Sequence, residues 1–144
     1  MIDDTTKRRW VEQFDAFRDT TIIGALGIEL VDVTDDELVL EMPLTDAARQ
    51  PMGLLHGGVS MVLAETAASF HSFVGLDPSK HYPVGIEING SHVRSLSAGR
   101  VRATARIVRR SRTLVVHEID ITDADSDRLL CRSRVTNLIR EHRA

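Results

Sequence analysis

The stretch "LLHGGVSMVLAETAASFHSFVGL", residues 54–76, decides how the chain is read. It is built of small and apolar residues, yet it opens on His56-Gly57-Gly58 and carries one carboxylate, Glu65, in its middle. Residues from about 57 to 74 form the only long helix candidate, and "GLDPSKHYP" ends it. About 18 residues rising 1.5 Å each span roughly 27 Å, enough to cross a small domain. Val59, Met61, Val62, Leu63, Ala64, Ala67, Ala68, Phe70 and Phe73 cover nearly every direction around the axis. A helix apolar on so many sides is covered on most of them.

Outward from this helix, the pattern is mostly strand. Trp10, Phe14 and Phe17, spaced by four and three, predict a short amphipathic N-terminal helix. "GIELVDVTDDELVLEMPL" alternates about Thr34-Asp35-Asp36 and reads as a hairpin, followed by a loop punctuated by Pro51 and Gly53. Beyond the helix, "VGIEINGSHV", "RVRATARIVRRSR", "TLVVHEIDIT" and "RLLCRSRVTNLI" follow one another with no second helix, the last two separated by the turn-rich "DADSD". Strands joined directly imply an antiparallel meander. The expected fold is therefore α+β: a curved antiparallel sheet wrapped around one long central helix, with a short helix before it. Arg100, Arg102, Arg106, Arg110 and Arg112 should share the outer face of one strand.

The whole chain bounds the function. Its 144 residues suit one domain, 1–144, with a sizeable core. A net charge of −3 argues against a nucleic-acid partner, as does the scarcity of aromatics for stacking bases. The single cysteine, Cys131, cannot form an internal disulfide, and no Cys/His spacing matches a zinc site. The N-terminus lacks the apolar run of a signal peptide, and Glu65 and His71 interrupt the longest low-charge stretch. No membrane partner and a cytoplasmic location are the expectation.

Glu65 is the first candidate for chemistry. Most helical carboxylates face water or pair with arginine. Here Met61, Val62, Ala64, Ala68 and Ser69 leave it little polar company, which suits a base or nucleophile. Gly57 and Gly58 let a ligand approach the free amides of a helix start, where an oxyanion is stabilised. A bare Gly-Gly more often marks an ordinary turn; Gln50 and His56 before it, and Glu65 two turns later, make the combination more specific. Ser60 is no nucleophile elbow, since Met61 and Val62 follow it. The six histidines form neither His-Glu-x-x-His nor a His-x-His pair, so no metal site is expected.

With these residues in place, "QPMGLLHGGVSMVLAETAAS", residues 50–69, resembles the hotdog-fold acyl-CoA thioesterases. The resemblance covers roughly residues 22–140. It is closest to the branch holding glutamate-using 4-hydroxybenzoyl-CoA thioesterases, phenylacetate-pathway thioesterases and 1,4-dihydroxy-2-naphthoyl-CoA hydrolases. It implies hydrolysis of acyl-CoA, with an aryl or hydroxyaryl acyl group, by an enzyme without a cofactor; coenzyme A is part of the substrate. It also implies a homodimer with sites at its interface, usually assembled into a homotetramer, so that a monomer is inactive.

By the same resemblance, Glu65 is the nucleophile or general base and Gly57 donates its N–H to the thioester oxygen. His56 and Gln50 orient the thioester and assist the leaving group, and Ser69 places the water or the acyl ring. "GIEINGSHVR" matches a Gly-x-Glu-x-Asn-x-x-His-x-Arg strand, which implies that Gly85, His92, Val93, Arg94 and Ser95 line the acyl and pantetheine path. Arg109, Arg110, Ser111, Arg112 and Thr113 fall where the family contacts the coenzyme A nucleotide, with Ser111 in place of the family's glycine. Val93 and Ser95 also depart from the nearest pattern. Two other functions stay open at this stage: a hotdog hydratase or dehydratase, and an acyl-CoA-binding hotdog protein without activity.

Overall fold

A computed structural model describes residues 1–143. Helix α1 (Asp4–Asp15) begins where Asp3 accepts the N–H of Thr6 at 2.8 Å, and it buries Phe14. A one-turn helix, α2 (Ile22–Ala25), follows, capped by Thr21; the sequence pattern had not suggested it. The long helix α3 (Gly57–Ser72) starts at the glycine expected and stops at Phe73, with Gly75 just beyond at φ 80°. No helix among the described residues is long and apolar enough to cross a membrane.

Six antiparallel strands make one sheet: β1 (Glu29–Val33), β2 (Glu37–Pro43), β3 (His81–His92), β4 (Arg100–Arg110), β5 (Leu114–Asp123) and β6 (Leu129–Glu141). Their order is β1-β2-β4-β5-β6-β3. The sheet packs its inner face on α3, the hotdog arrangement. Leu38, Leu40 and Met42 of β2, Ala103 and Ala105 of β4, and Ile119 and Ile121 of β5 are fully buried, as are Leu63, Ala64, Ala67 and Ala68 of α3. β2 and β5 alternate most regularly, so their apolar sets face the helix.

Two expectations need correction. A simple meander would set β3 beside β4, but β3 lies at the far edge and pairs only with β6. The connection over residues 93–99 crosses the end of the sheet, held by Val93 N–H and Arg94 N–H on Leu130 O at 2.8 and 3.2 Å. It also accepts the N–H groups of Leu55 at Leu96 O and of Leu44 at Gly99 O, both at 2.9 Å. The loop before α3 and the end of β2 thus offer partners that a tight hairpin would leave unpaired.

The second correction concerns the arginines. Arg100, Arg102 and Arg106 do share the outer face, paired with Glu29, Glu41, Asp127, Glu37 and Asp120. Exposed pairs of this kind contribute about 0–1 kcal/mol each. A bulge between Ile107 and Arg109 then inserts Val108 and reverses the alternation. Arg110 consequently lies on the helix side, where its guanidinium donates to the carbonyls of His71 and Ser72 at 3.1 and 3.2 Å. A cation at a helix C-terminus satisfies orphan carbonyls and complements the dipole.

Beneath that helix end lies a buried pair of rings, His71 and His117, neither exposed to solvent. Thr34 O can only accept, so His71 Nε2–H donates to it at 3.0 Å. In the neutral ring Nδ1 then accepts, from His117 Nε2–H at 3.0 Å. His117 Nδ1 is left bare and unpartnered. Burial lowers both pKa values, that of His117 to about 3, with His71 and Arg110 adding to the effect.

Unfolded, these rings take a proton near about 6.5. Between that value and about 3 the unfolded chain binds more protons than the folded one. Stability is therefore full above about pH 6.5 and falls as the pH drops, by at most about 1.4 kcal/mol per pH unit for each ring. Urea midpoints measured from pH 7.5 to 4.5 should show this decline, and His117→Leu should lessen its slope. A midpoint independent of pH over that range would contradict a neutral pair.

Candidate active site

At the start of α3, His56 occupies the cap: its Nδ1 accepts Gly58 N–H at 2.9 Å, leaving Nε2 for any ligand. Among the hydrogen bonds of the described residues, none is donated by Gly57 N–H. A Cβ at position 57 would lie 2.8 Å from Nε2 of His92, so glycine is what allows that ring to lie over the helix start. The end of β3 delivers His92 here, and the crossing segment delivers Val93, Arg94 and Ser95. Together with Gln50, Leu54, Leu55, Gly57, Ser60 and Leu130 they line a groove of about 440 Å³. Gln50 is held in its turn by accepting Met52 N–H at Oε1 and by its own N–H on Leu54 O at 2.8 Å.

Glu65 belongs to a different groove, of about 980 Å³, in which it is joined by Val62, Thr66, Ser69, Phe70 and Phe73 of the same helix. Phe17, Thr21, Ile22 and Ile23 from the α1–α2 corner form the opposite wall, and Tyr82 and His142 close one end. In the single chain Glu65 is exposed, not enclosed as its sequence neighbours suggest. Gly85 of β3 clears space for it, since a Cβ there would collide with Glu65 Oε1. The nearest atom of the sheet beyond is Asn137 Oδ1, 3.7 Å from the same Cβ position.

Asn137 did not emerge from the sequence. It stands opposite Gly85 in the β3–β6 register, fully buried, and its Oδ1 accepts Ser69 Oγ–H at 3.1 Å. The signal was present: Cys131, Ser133, Val135 and Asn137 alternate on the inner face of β6, and an amide in such a series has to find partners. The α1–α2 wall was missed because contact between helices remote in sequence leaves no local pattern.

The two grooves share no lining residue. Gly57 and Glu65 are eight residues apart on α3, about 12 Å along the axis and about 80° around it. Within one chain, then, Glu65, Ser69 and Gly85 come together, and so do Gln50, Gly57, His92, Val93, Arg94 and Ser95. The two sets stay apart. His56 caps the start of α3 beside Gly57 without lining either groove.

The segment from Arg109 to Thr113 closes the β4–β5 turn and lines neither groove. Ser111 Oγ–H donates to Leu114 O at 3.1 Å while Oγ accepts Leu114 N–H at 3.0 Å, so the serine that replaces glycine stitches the turn. Arg109 and Arg112 are exposed, whereas Arg110 is committed to the end of α3.

Comparison with known proteins agrees with this architecture. Residues 52–130 match the family described as "Thioesterase superfamily". A 1,4-dihydroxy-2-naphthoyl-CoA hydrolase of Listeria monocytogenes is 42% identical over 118 residues, covering 82% of this chain and 94% of the relative. The enzyme of that name from Escherichia coli is 37% identical over 129 residues, covering 90% and 93%. Among solved structures, a mutant thioesterase from Pseudomonas aeruginosa superposes with a TM-score of 0.87 at 37% identity, covering 92% of this chain and 94% of that one. A thioesterase from Haemophilus influenzae superposes with a TM-score of 0.85 at 33% identity, covering 91% and 90%. By its matched segment, its fold and these relatives, the chain belongs to the thioesterase superfamily of hotdog hydrolases, enzymes that cleave acyl-CoA thioesters.

Proposed function

We propose that this thioester hydrolase acts on aryl or hydroxyaryl acyl-CoA, with Glu65 as its reacting carboxylate. The observation that carries the reading is the pairing of Glu65 with Gly85: a carboxylate without a salt-bridge partner among the described residues, given room by a glycine, on the wall of a groove rich in phenyl rings. The naphthoyl-CoA hydrolases among its relatives support an aryl acyl group.

The chemistry is a balanced hydrolysis. A water oxygen bonds to the thioester carbon as Glu65 takes one of its protons. The carbonyl oxygen gains negative charge, which Gly57 N–H at the positive end of α3 stabilises. The C–S bond then breaks, and the departing thiolate takes the proton back from Glu65, giving a free acid and coenzyme A. Alternatively, Glu65 bonds to the carbon itself and expels the coenzyme A thiolate; water then cleaves the resulting anhydride, freeing the acid, restoring the Glu65 carboxylate and leaving its spare proton on the thiolate. In both routes His56 and Gln50 orient the thioester, and Arg109 and Arg112 meet the coenzyme's phosphates. A thiolate leaves readily, so the reaction asks for no cofactor.

Because the Glu65 groove and the Gly57 groove are separate in one chain, the active unit is a homodimer in which each site takes one groove from each copy. The free edge of β3 supports this. It is 12 residues long, carries exposed Val84 and Ile86, and among the described residues bonds to no other strand on that side. Such an edge is a template for pairing with a second copy. Two dimers then associate as a homotetramer.

Glu65→Gln should lower thiol release from aryl-CoA esters at least about 100-fold while leaving the melting temperature and ester binding unchanged. Turnover near wild type would remove Glu65 from the mechanism. Gly85→Ala, which intrudes on the same carboxylate, should lower kcat by roughly 100-fold. Mixing unfolded Glu65→Gln with unfolded Gly57→Val and refolding them together should restore about a quarter of wild-type activity, through hybrid dimers with one intact site. No restoration would mean that each site is built within a single copy.

A further inference from the structure

Ser60, Thr66, Ser69 and Ser72 are the hydroxyl residues of α3, and three of them spend their proton inside the protein. Thr66 Oγ–H donates to Val62 O at 2.7 Å and Ser72 Oγ–H to Ala68 O at 2.8 Å, each the back-bond to the carbonyl one turn earlier. Ser69 Oγ–H donates to Asn137 Oδ1 at 3.1 Å. Ser60 differs. It is only 2% exposed, yet among the described residues its Oγ has no hydrogen-bond partner. The reason lies one turn back. His56 O, the carbonyl that Ser60 would use, already accepts Val59 N–H at 2.9 Å and Ser60 N–H at 3.3 Å. A carbonyl has two lone pairs, so the back-bond made by Thr66 and Ser72 is closed to Ser60.

Helix geometry directs this unspent proton. Side chains lean toward the N-terminus of their helix, and positions three apart are neighbours on its surface. Ser60 therefore leans over the first turn, toward Gly57, and both residues line the groove of about 440 Å³. Gly57 brings its own uncommitted N–H to the same place, and His92 stands over the same glycine. Leu54, Leu55 and Leu130 give that groove an apolar lining, in which a fixed donor counts for more than it does in water.

We infer that Ser60 is a catalytic residue: its hydroxyl is a second donor, beside Gly57 N–H, to the oxygen that becomes negative as the thioester carbon turns tetrahedral. This rests on the thioesterase reading above, with Gly57 as the first donor. An oxyanion accepts more than one hydrogen bond, and a single amide leaves it underserved among leucines. The Ser60 proton stays on Ser60 throughout; its bond to the oxygen tightens as charge grows, and Glu65 remains the reacting carboxylate. Ser60 is thus a donor and not a nucleophile. Both donors come from one copy, so this half of the site is complete within a single chain.

The test is Ser60→Ala in the full chain, a change that removes one oxygen and places a strong helix former in α3. With benzoyl-CoA as the probe, kcat should fall roughly 100-fold while KM stays within about threefold, the mark of an interaction made in the transition state. The melting temperature should not fall. A second measurement reads the bond itself. In the Glu65→Gln background, which slows turnover, the carbonyl stretch of bound benzoyl-CoA, isotopically labelled at the thioester carbon, should move to higher frequency when Ser60→Ala is added. A purely structural role for Ser60 would leave that frequency where it is. An unchanged kcat in Ser60→Ala would overturn the inference and leave the thioesterase reading standing. So would a raised KM at unchanged kcat, which would place the hydroxyl on the coenzyme arm, and so would a lowered kcat with an unmoved carbonyl stretch. Wild-type protein that releases no thiol from benzoyl-, hydroxybenzoyl- or dihydroxynaphthoyl-CoA would overturn the reading for aryl esters, and this inference with it.

Discussion

The close approach of α3 to the inner face of the sheet is the contact on which everything else in this protein hangs. Ala64, Ala67 and Ala68 are fully buried there, and only Leu63 is large among the wholly buried apolar residues of the helix. Small side chains let the helix lie near the strands, so the curvature of the sheet is filled by the residues of β2, β4 and β5. The same closeness brings Ser69 within hydrogen-bonding distance of Asn137 and His71 of His117. A helix held farther away would keep its fold class and lose both polar links.

The ends of α3 are then held by unrelated devices. At the start, His56 caps the helix and the end of β3 lays His92 over Gly57, so an amide with no partner among the described residues is kept at a defined place. At the finish, the bulge in β4 turns Arg110 onto the last carbonyls, above the neutral histidine pair. The helix is therefore oriented at both ends as well as packed along its length.

Sending β3 to the edge of the sheet has a second consequence. Were β3 between β6 and a further strand of the same chain, both its sides would be satisfied. At the edge it shields one flank of α3, gives Glu65 room through Gly85, and keeps a row of backbone groups free. One strand thus takes part in the groove beside Glu65 through Tyr82 and leaves its outer edge open among the described residues.

The sequence by itself determined those features that depend on neighbours along the chain. The period of residues 57–74, the hairpin about Thr34-Asp35-Asp36 and the alternation of the later strands are local, and each element formed nearly where its pattern lay. Glu65 and Gly57 stood out as candidates because residue type and spacing on one helix set them apart, whereas Ser69 came only with the family resemblance. The tertiary structure decided what local patterns do not encode. The order of the strands follows from where a connection finds hydrogen-bond partners, which set β3 beside β6 rather than β4. One inserted residue, Val108, reversed the side on which Arg110 lies, because the strand period of two admits no half measures. The α1–α2 wall reached Glu65's groove, and Asn137 reached Ser69, only through folding, since contacts between segments distant in sequence leave no periodic trace. The division has one physical cause: periodicity records which face of an element is buried, and only packing determines what that face meets.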